Sequence, residues 1–455
     1  MATDTDHTFD VIVIGLGPGG EHVAGTLAER GLRVLAVDRN LVGGECPYWG
    51  CIPSKMMIRA ADALAEARRV EGLAGSVGEV RPDWSVVAKR IREEATDNWN
   101  DQVAVDRLTG KGATVLHGTG RITGPGSVDV DGTAYTATKG VVVNPGTTAA
   151  VPPIDGLRDT PYWTNHEIIE AAELPASIVV LGGGAIGCEL SQVMARFGVE
   201  VTIVEAAERI LSAEEPEASE KLVDAFEADG ITVRTGVAAE KVAHDGSTFT
   251  VTLADGSTLE AERLLVATGR RADPAAVGLD TVGVPADSHT APVDDRCRVG
   301  DGVWAVGDIT GKGAFTHVSM YQAGIVIRDV LGDDGPPAEY AALPRVTFTD
   351  PEVGAVGMTE SQARDQLANV QVGVTPLPET TRGWIAKADG FIKVVADADR
   401  GVLVGATAMG PAGGEVLGAL AVAVHGEVPV DRLRSMIYAY PTLHRGIETA
   451  LGQLG

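Results

Sequence analysis

Val11-Ile-Val-Ile14 is an unbroken apolar run, the signature of a strand buried on both faces of a parallel sheet. A glycine-rich turn follows, Gly15-Leu-Gly-Pro-Gly-Gly20, and then a helical pattern with apolar Val23, Leu27 and Leu32. A second apolar run, Val34 to Val37, ends at Asp38. The same order recurs further along: a strand over Ile178 to Leu181, a turn Gly182-Gly-Gly-Ala-Ile-Gly187, a helix to about Phe197, and a strand Val201 to Val204 ending at Glu205. Two strand–turn–helix–strand units this far apart predict two dinucleotide-binding domains.

The rest of the pattern is less regular. Pro145 to Pro153 reads as a crossover, Thr248 to Glu260 as a hairpin around Asp255-Gly256, and Gly335-Pro-Pro-Ala-Glu339 as a linker. Val346 to Gly455 mixes strand and helix periods and carries no further GxGxxG, so it reads as an α+β domain. The chain is therefore expected to be α/β, with two Rossmann-like domains and a C-terminal α+β domain. The expected boundaries are 1–150 and 276–340 for the first nucleotide domain, 151–275 for the second and 341–455 for the third.

Composition narrows the function. At 455 residues the chain suits about three domains. Its 57 glycines suit tight turns and close backbone approaches. The balance of 63 acidic to 37 basic residues, a net charge of -26, argues against nucleic acid as a partner and reads as a solvated acidic surface. No apolar stretch reaches the ~18–20 residues of a membrane span, and Met1 to Phe9 is polar and acidic, unlike a signal or transit peptide. Four cysteines do not make a secreted disulfide framework, so the expected place is the cytoplasm, where a cysteine pair is catalytic rather than structural.

Each GxGxxG works by geometry. Gly15 and Gly182 make the tight turn, Gly17 and Gly184 let backbone approach a pyrophosphate, and Gly20 and Gly187 let the helix pack on the strand. The helix N-terminus then offers free N–H groups to phosphate charge. Asp38 and Glu205 each lie 23 residues after the first glycine, at a strand end, where a carboxylate accepts hydrogen bonds from ribose hydroxyls. Glu205 repels a 2′-phosphate and is followed by Ala206-Ala207, which favours NADH over NADPH. Arg209 and Arg270-Arg271 are the residues that would overturn that preference.

Gly43-Gly-Glu-Cys-Pro-Tyr-Trp-Gly-Cys-Ile-Pro-Ser-Lys55 places Cys46 and Cys51 just past the first unit. Such a pair could close a short, reducible disulfide. Zinc would need two more ligands, and no second CxxC or HxxxH is present. No metal is expected. Cys188 and Cys297 are single and read as small buried hydrophobes.

With these residues in view, the chain resembles the flavoprotein disulfide reductases, a family that includes dihydrolipoamide dehydrogenase and mercuric reductase. The resemblance spans nearly the whole chain. It rests on Gly43–Lys55, on Leu265-Val-Ala-Thr-Gly-Arg270, on Val303-Trp-Ala-Val-Gly-Asp308, and on Phe348-Thr-Asp-Pro-Glu352 through Glu360. It implies that the first unit binds FAD through Gly15, Gly17, Gly20, Asp38, Gly44, Lys55, Gly307 and Asp308. It implies that the second binds NAD(P)H through Gly182, Gly184, Gly187, Glu205 and Gly269. By the same resemblance Cys46 is the interchange thiol, Cys51 lies against the flavin, Lys55 pairs with Glu189 near flavin N5, and the protein is a homodimer.

The sequence departs from that family near its C-terminus. Where the family usually carries His-Pro-Thr-x-x-Glu, this chain has Tyr440-Pro-Thr-Leu-His-Arg445. Thiol exchange needs a proton acceptor poised near neutral pH, and an ordinary tyrosine, with a pKa of about 10, is a poor one. His444 and Glu448, at i and i+4, are the candidates for a relocated pair. Tyr440 and His444 are therefore carried as candidate catalytic residues. The chain also ends without the C-terminal cysteine pair of mercuric reductases, and Ala185 leaves the nicotinamide side of the flavin without a bulky gate. The expected activity is NAD(P)H oxidation with delivery of electrons to a small acceptor such as a quinone. The alternative is a lipoamide-type disulfide reductase with an unusual acid–base group.

Overall fold

The computed structural model describes residues 7–455. The chain forms two compact units. One comprises the described part of Met1–Ser54 with Val86–Ala150 and Arg270–Glu339. The other comprises Lys55–Ser85, Val151–Gly269 and Tyr340–Gly455.

In the first unit the apolar run becomes strand Thr8–Ile14, with strand Val34–Asp38 parallel on one side and Thr133–Val143 parallel on the other. The central order runs Arg298–Gly300, Val303–Ala305, Thr133–Val143, Thr8–Ile14, Val34–Asp38, Thr114–His117. Period-two alternation explains why the run has no polar break. Val11 and Val13 face a core with Val23 and Leu27 of helix Pro18–Glu29, whereas Ile12 and Ile14 face a second core with Val141 and Val143. Both layers are buried, and each such side chain contributes on the order of 1.5–3 kcal/mol. Cys297 is wholly buried in the first of these cores.

The second unit repeats the arrangement on a four-stranded parallel sheet in the order Thr232–Arg234, Glu200–Val204, Ser177–Leu181, Arg263–Val266. An antiparallel sheet of Ala239–His244, Phe249–Leu253 and Thr258–Ala261 packs its apolar face against it. The last two of these strands are the hairpin expected around Asp255-Gly256. Beyond residue 340, five antiparallel strands from Pro344–Thr347 to Val402–Gly410 pack on helix Gly413–His425, which is the expected α+β arrangement.

A buried cation of this unit, Lys393, bridges three carboxylates. Lys393, on strand Phe391–Asp397, is 2% exposed and pairs with Glu215, Glu217 and Glu360 at 2.9, 2.7 and 2.9 Å. Burial alone would lower its pKa, but the hydrogen bonds to the three carboxylates raise it above the ordinary lysine value. Glu360 is held there by a capping box, in which Thr359 accepts from the Gln362 N–H and the Gln362 side chain returns to Thr359. Removing Lys393 would leave three carboxylates facing one another.

Candidate active site

The two glycine turns superimpose in their chemistry almost bond for bond. Gly15 has φ +90 and Gly182 φ +108, backbone that side chains avoid. A methyl group on either would lie 2.3 or 2.4 Å from a carbonyl oxygen of the neighbouring strand end, that of Asn144 or Ala267. On Gly20 or Gly187 it would lie 2.0 Å from the carbonyl oxygen of the first glycine. The acids repeat as well. Asp38 accepts from Leu16 N–H at 2.6 Å and Asn40 N–H at 2.7 Å. Glu205 accepts from Gly183 N–H at 2.6 Å and Ala207 N–H at 2.7 Å. Burial raises the Asp38 carboxyl above its usual range, and the two N–H bonds oppose this.

Both helices start without a side-chain cap at their N-cap residues, Gly17 and Gly184. Uncapped N-termini over glycine turns, each beside a strand-end acid, fit the pyrophosphate and ribose of a dinucleotide. Of the three arginines that bear on a 2′-phosphate, Arg271 is exposed and the other two are engaged by the protein. Arg209 donates to the carbonyls of Leu211 and Ser212 and to the Ser219 hydroxyl. Arg270 lies in the first unit, where it donates to Thr147 and pairs with Glu45 at 3.4 Å. Gly269 has φ +113 with open space where a side chain would point.

The first unit also holds the cysteines. Gly44 caps the short helix Glu45–Tyr48, which carries Cys46, and Cys51 opens helix Cys51–Arg69. Cys46 is half-buried and Cys51 is exposed. The Cys46 thiol is pushed far above its usual range, first by its hydrogen bond with Cys51 and then by burial. Cys51 Sγ is exposed at the helix N-terminus, 3.4 Å from the Thr316 hydroxyl. A helix N-terminus favours negative charge, and Cys51 stands at one. Thr316 was not legible as a site residue. Its only signal is its place at the start of helix Thr316–Leu331, shortly after the Gly307-Asp308 turn. Gly307 donates its N–H to Gln322 at 2.7 Å, and Asp308 accepts from the Thr147 hydroxyl at 2.8 Å.

In the second unit, Lys55 and Glu189 pair at 2.8 Å. Tyr440 is exposed, donates to the Thr381 hydroxyl at 3.2 Å, and has the Arg445 guanidinium over its ring at 5.4 Å. The last helix begins only at Gly446, so His444 lies in the turn before it. Glu448 is bonded to Arg445 at 2.9 Å, and the His444 ring lies 6.3 Å from that of Tyr438. Cys188 is wholly buried, its thiol donating to the Gly183 carbonyl at 3.3 Å.

Two nucleotide cradles and a dithiol on one chain define a nucleotide-dependent thiol–disulfide oxidoreductase. Comparison with known proteins agrees. Residues 9–323 match the model of the pyridine nucleotide-disulphide oxidoreductases, and residues 343–451 match that family's dimerisation domain. The chain is 35% identical to dihydrolipoyl dehydrogenase of Chlorobaculum tepidum, with 97% of this chain and 96% of that protein covered. It is 33% identical to mercuric reductase of Shewanella putrefaciens, covering 98% of this chain and 81% of that protein. Among solved structures it is similar to the HOCl-induced flavoprotein disulfide reductase RclA from Escherichia coli, with TM-score 0.84, 26% identity, and 98% and 99% of the two chains covered.

The chain belongs to the pyridine nucleotide-disulphide oxidoreductases, a family that uses FAD and NAD(P)H. It is an oxidoreductase with a dimerisation domain, and among the described residues no helix is long and apolar enough to cross a membrane.

Proposed function

We propose that this chain is an NADH-oxidising flavoprotein that reduces a small acceptor such as a quinone, with Cys46 and Cys51 as its dithiol. Residues 1–150 and 276–340 hold FAD, 151–275 hold NAD(H), and 341–455 form the interface of a homodimer acting in the cytoplasm. Bound FAD supplies two-electron exchange between a hydride donor and the thiol pair or acceptor. The chain's own residues bind and tune. Uncapped helix starts at Gly17 and Gly184 take the two pyrophosphates, while Asp38 and Glu205 order the ribose ends. Lys55, fixed by Glu189, places a positive charge for the electron-rich flavin. Cys46 retains its proton, through its hydrogen bond with Cys51 and its burial. For a quinone the balance is one hydride from NADH and one proton from solvent, giving NAD⁺ and hydroquinone.

The observation that carries the choice of acceptor is the C-terminal run. Its Glu448 is bonded to Arg445 and its Tyr440 to Thr381, so no imidazole–carboxylate pair is assembled there to move thiol protons. Loss of such a general acid–base is commonly worth ~10²–10⁴-fold, which falls on disulfide substrates and spares NADH oxidation. A lipoamide-type reductase is the second reading, favoured by the 35% identity to a dihydrolipoyl dehydrogenase. A steady-state screen with NADH separates them. Quinones should outperform lipoamide, and lipoamide outperforming every quinone would overturn the proposal. On Cys46→Ser, any lipoamide activity should fall by at least about a thousandfold.

A further inference from the structure

In sequence, Phe348-Thr-Asp350 marks only the lead-in to the C-terminal domain. In the structure it ties together two helices of the second unit. Helix Cys51–Arg69 presents Lys55, Asp62 and Arg69 at seven-residue spacing, along one face. Helix Ala185–Arg196 presents Glu189, Gln192 and Arg196 on one of its own. Lys55 meets Glu189 at 2.8 Å, and Asp62 meets Arg196 at 2.7 Å.

The loop closes this seam. Phe348 N–H donates to the second oxygen of Glu189 at 2.8 Å, and the Phe348 ring lies under the Lys55 ammonium at 4.8 Å. Asp350 exchanges two hydrogen bonds with the Gln192 amide, at 2.7 and 2.9 Å. Its carboxylate binds Arg196 at 2.7 Å and also Arg69. Arg196, 2% exposed, is further fixed by Asp229 at 2.9 Å. The backbone at Phe348 is thus anchored by a buried cation two residues away.

We propose that Phe348 is a positioning residue for Lys55. A lysine has a flexible four-carbon stem, and this one is 37% exposed. The Glu189 carboxylate holds its ammonium at 2.8 Å. The ring face adds a second, attractive wall, and the loop N–H stops the Glu189 carboxylate from turning away. Lys55 is thereby kept at one spot rather than sampling solvent. This rests on the reading above that Lys55 faces the flavin. Phe348 then acts on the reaction through Lys55, without touching substrate.

The test compares holoenzymes carrying Phe348→Leu, Phe348→Met, Phe348→Tyr and Lys55→Met. The first readout is competitive acetylation of Lys55, scored by mass spectrometry against surface lysines. The second is the flavin midpoint potential. Phe348→Leu and Phe348→Met should raise Lys55 acetylation about 3- to 10-fold, the factor expected from losing one partly desolvated ring contact. They should also move the potential in the negative direction, because a wandering cation stabilises the reduced flavin less. Phe348→Tyr, which keeps the ring, should restore both. Unchanged acetylation in both ring-less variants would overturn the proposal. A potential that moves in Lys55→Met but not in Phe348→Leu would overturn it too. Should Lys55→Met leave the potential unmoved, the flavin-facing reading of Lys55 fails, and acetylation still decides whether Phe348 holds the ammonium.

Discussion

In the two glycine turns the nearest approach at the first and third glycines and the first hydrogen bond to the strand-end acid have lengths that agree to about 0.1 Å, whereas the middle glycines differ. Each is tied to the segment after its second strand, through Gly43 N–H to Leu16 O in one and Leu211 N–H to Gly183 O in the other, both 2.8 Å. Only in the first does that segment reach the middle position. A methyl group on Gly44 would sit 2.8 Å from the Gly17 Cα, and one on Gly17 would sit 3.0 Å from the Asn144 amide. That amide, oriented with its oxygen toward Gly20 N–H at 3.2 Å, plugs the turn from below. In the second turn nothing lies within 4 Å of a methyl group on Gly184, and Gly184, Ala185 and Ile186 are exposed. A roofed cradle suits a cofactor that stays, and an exposed one suits a nucleotide that must enter and leave each cycle. The same local code is thus tuned to residence or to exchange by what crosses over it.

The largest expected effect comes from breaking the roof. Gly44 has φ 69 and ψ -155, a conformation open essentially to glycine alone. Gly44→Ala should cost about 1–3 kcal/mol in strain and at least tenfold in FAD retained through purification. Gly184→Ala, at φ -77 and ψ -179, should leave thermal stability within about 0.5 kcal/mol and FAD content unchanged, with KM for NADH raised several-fold. Equal FAD loss in the two variants would remove the distinction between the turns.

A smaller effect is expected at the second acid. Glu205→Gln keeps one acceptor oxygen for the two turn N–H groups and removes the charge that repels a 2′-phosphate. The preference for NADH over NADPH, as a ratio of kcat/KM values, should relax by about tenfold. No change in that ratio would mean that Glu205 serves only its own turn.

The smallest effect separates the units by pH. In the second unit, burial raises Asp62 to about 6, helped by the nearby Asp350 charge and opposed by Arg196. A carboxyl that holds its proton more tightly when folded than the ordinary 3.8 loses stability as pH rises between those values. Denaturant unfolding of Asp62→Asn should therefore gain on the wild type from about pH 4 to about pH 6 and level off above. A difference that is flat across that window would contradict the assigned cause.

Local code made much of this legible. The apolar runs, both glycine turns, Asp38, Glu205 and the cysteine loop can be read in sequence because each depends on neighbours a few residues away. The residues that could not be read act across long separations. Thr316 meets Cys51, Phe348 meets Lys55 and Glu189, and Arg270 turns back to Thr147 and Glu45. Nothing near Arg270 in the chain shows that it is already engaged by Glu45. The i, i+4 spacing of His444 and Glu448 predicts a pair on one helix face, but the helix begins only at Gly446. Arg445, between them in sequence, takes the glutamate.

Anaerobic titration of the purified holoprotein with NADH, followed by visible absorbance, tests the central claim most directly. The account predicts that two electrons produce a long-wavelength charge-transfer band, reporting a Cys51 thiolate against oxidised flavin, and that the band is lost in Cys51→Ser. Bleaching of the flavin from the first electrons, with no such band, would contradict a dithiol that shares electrons with the cofactor.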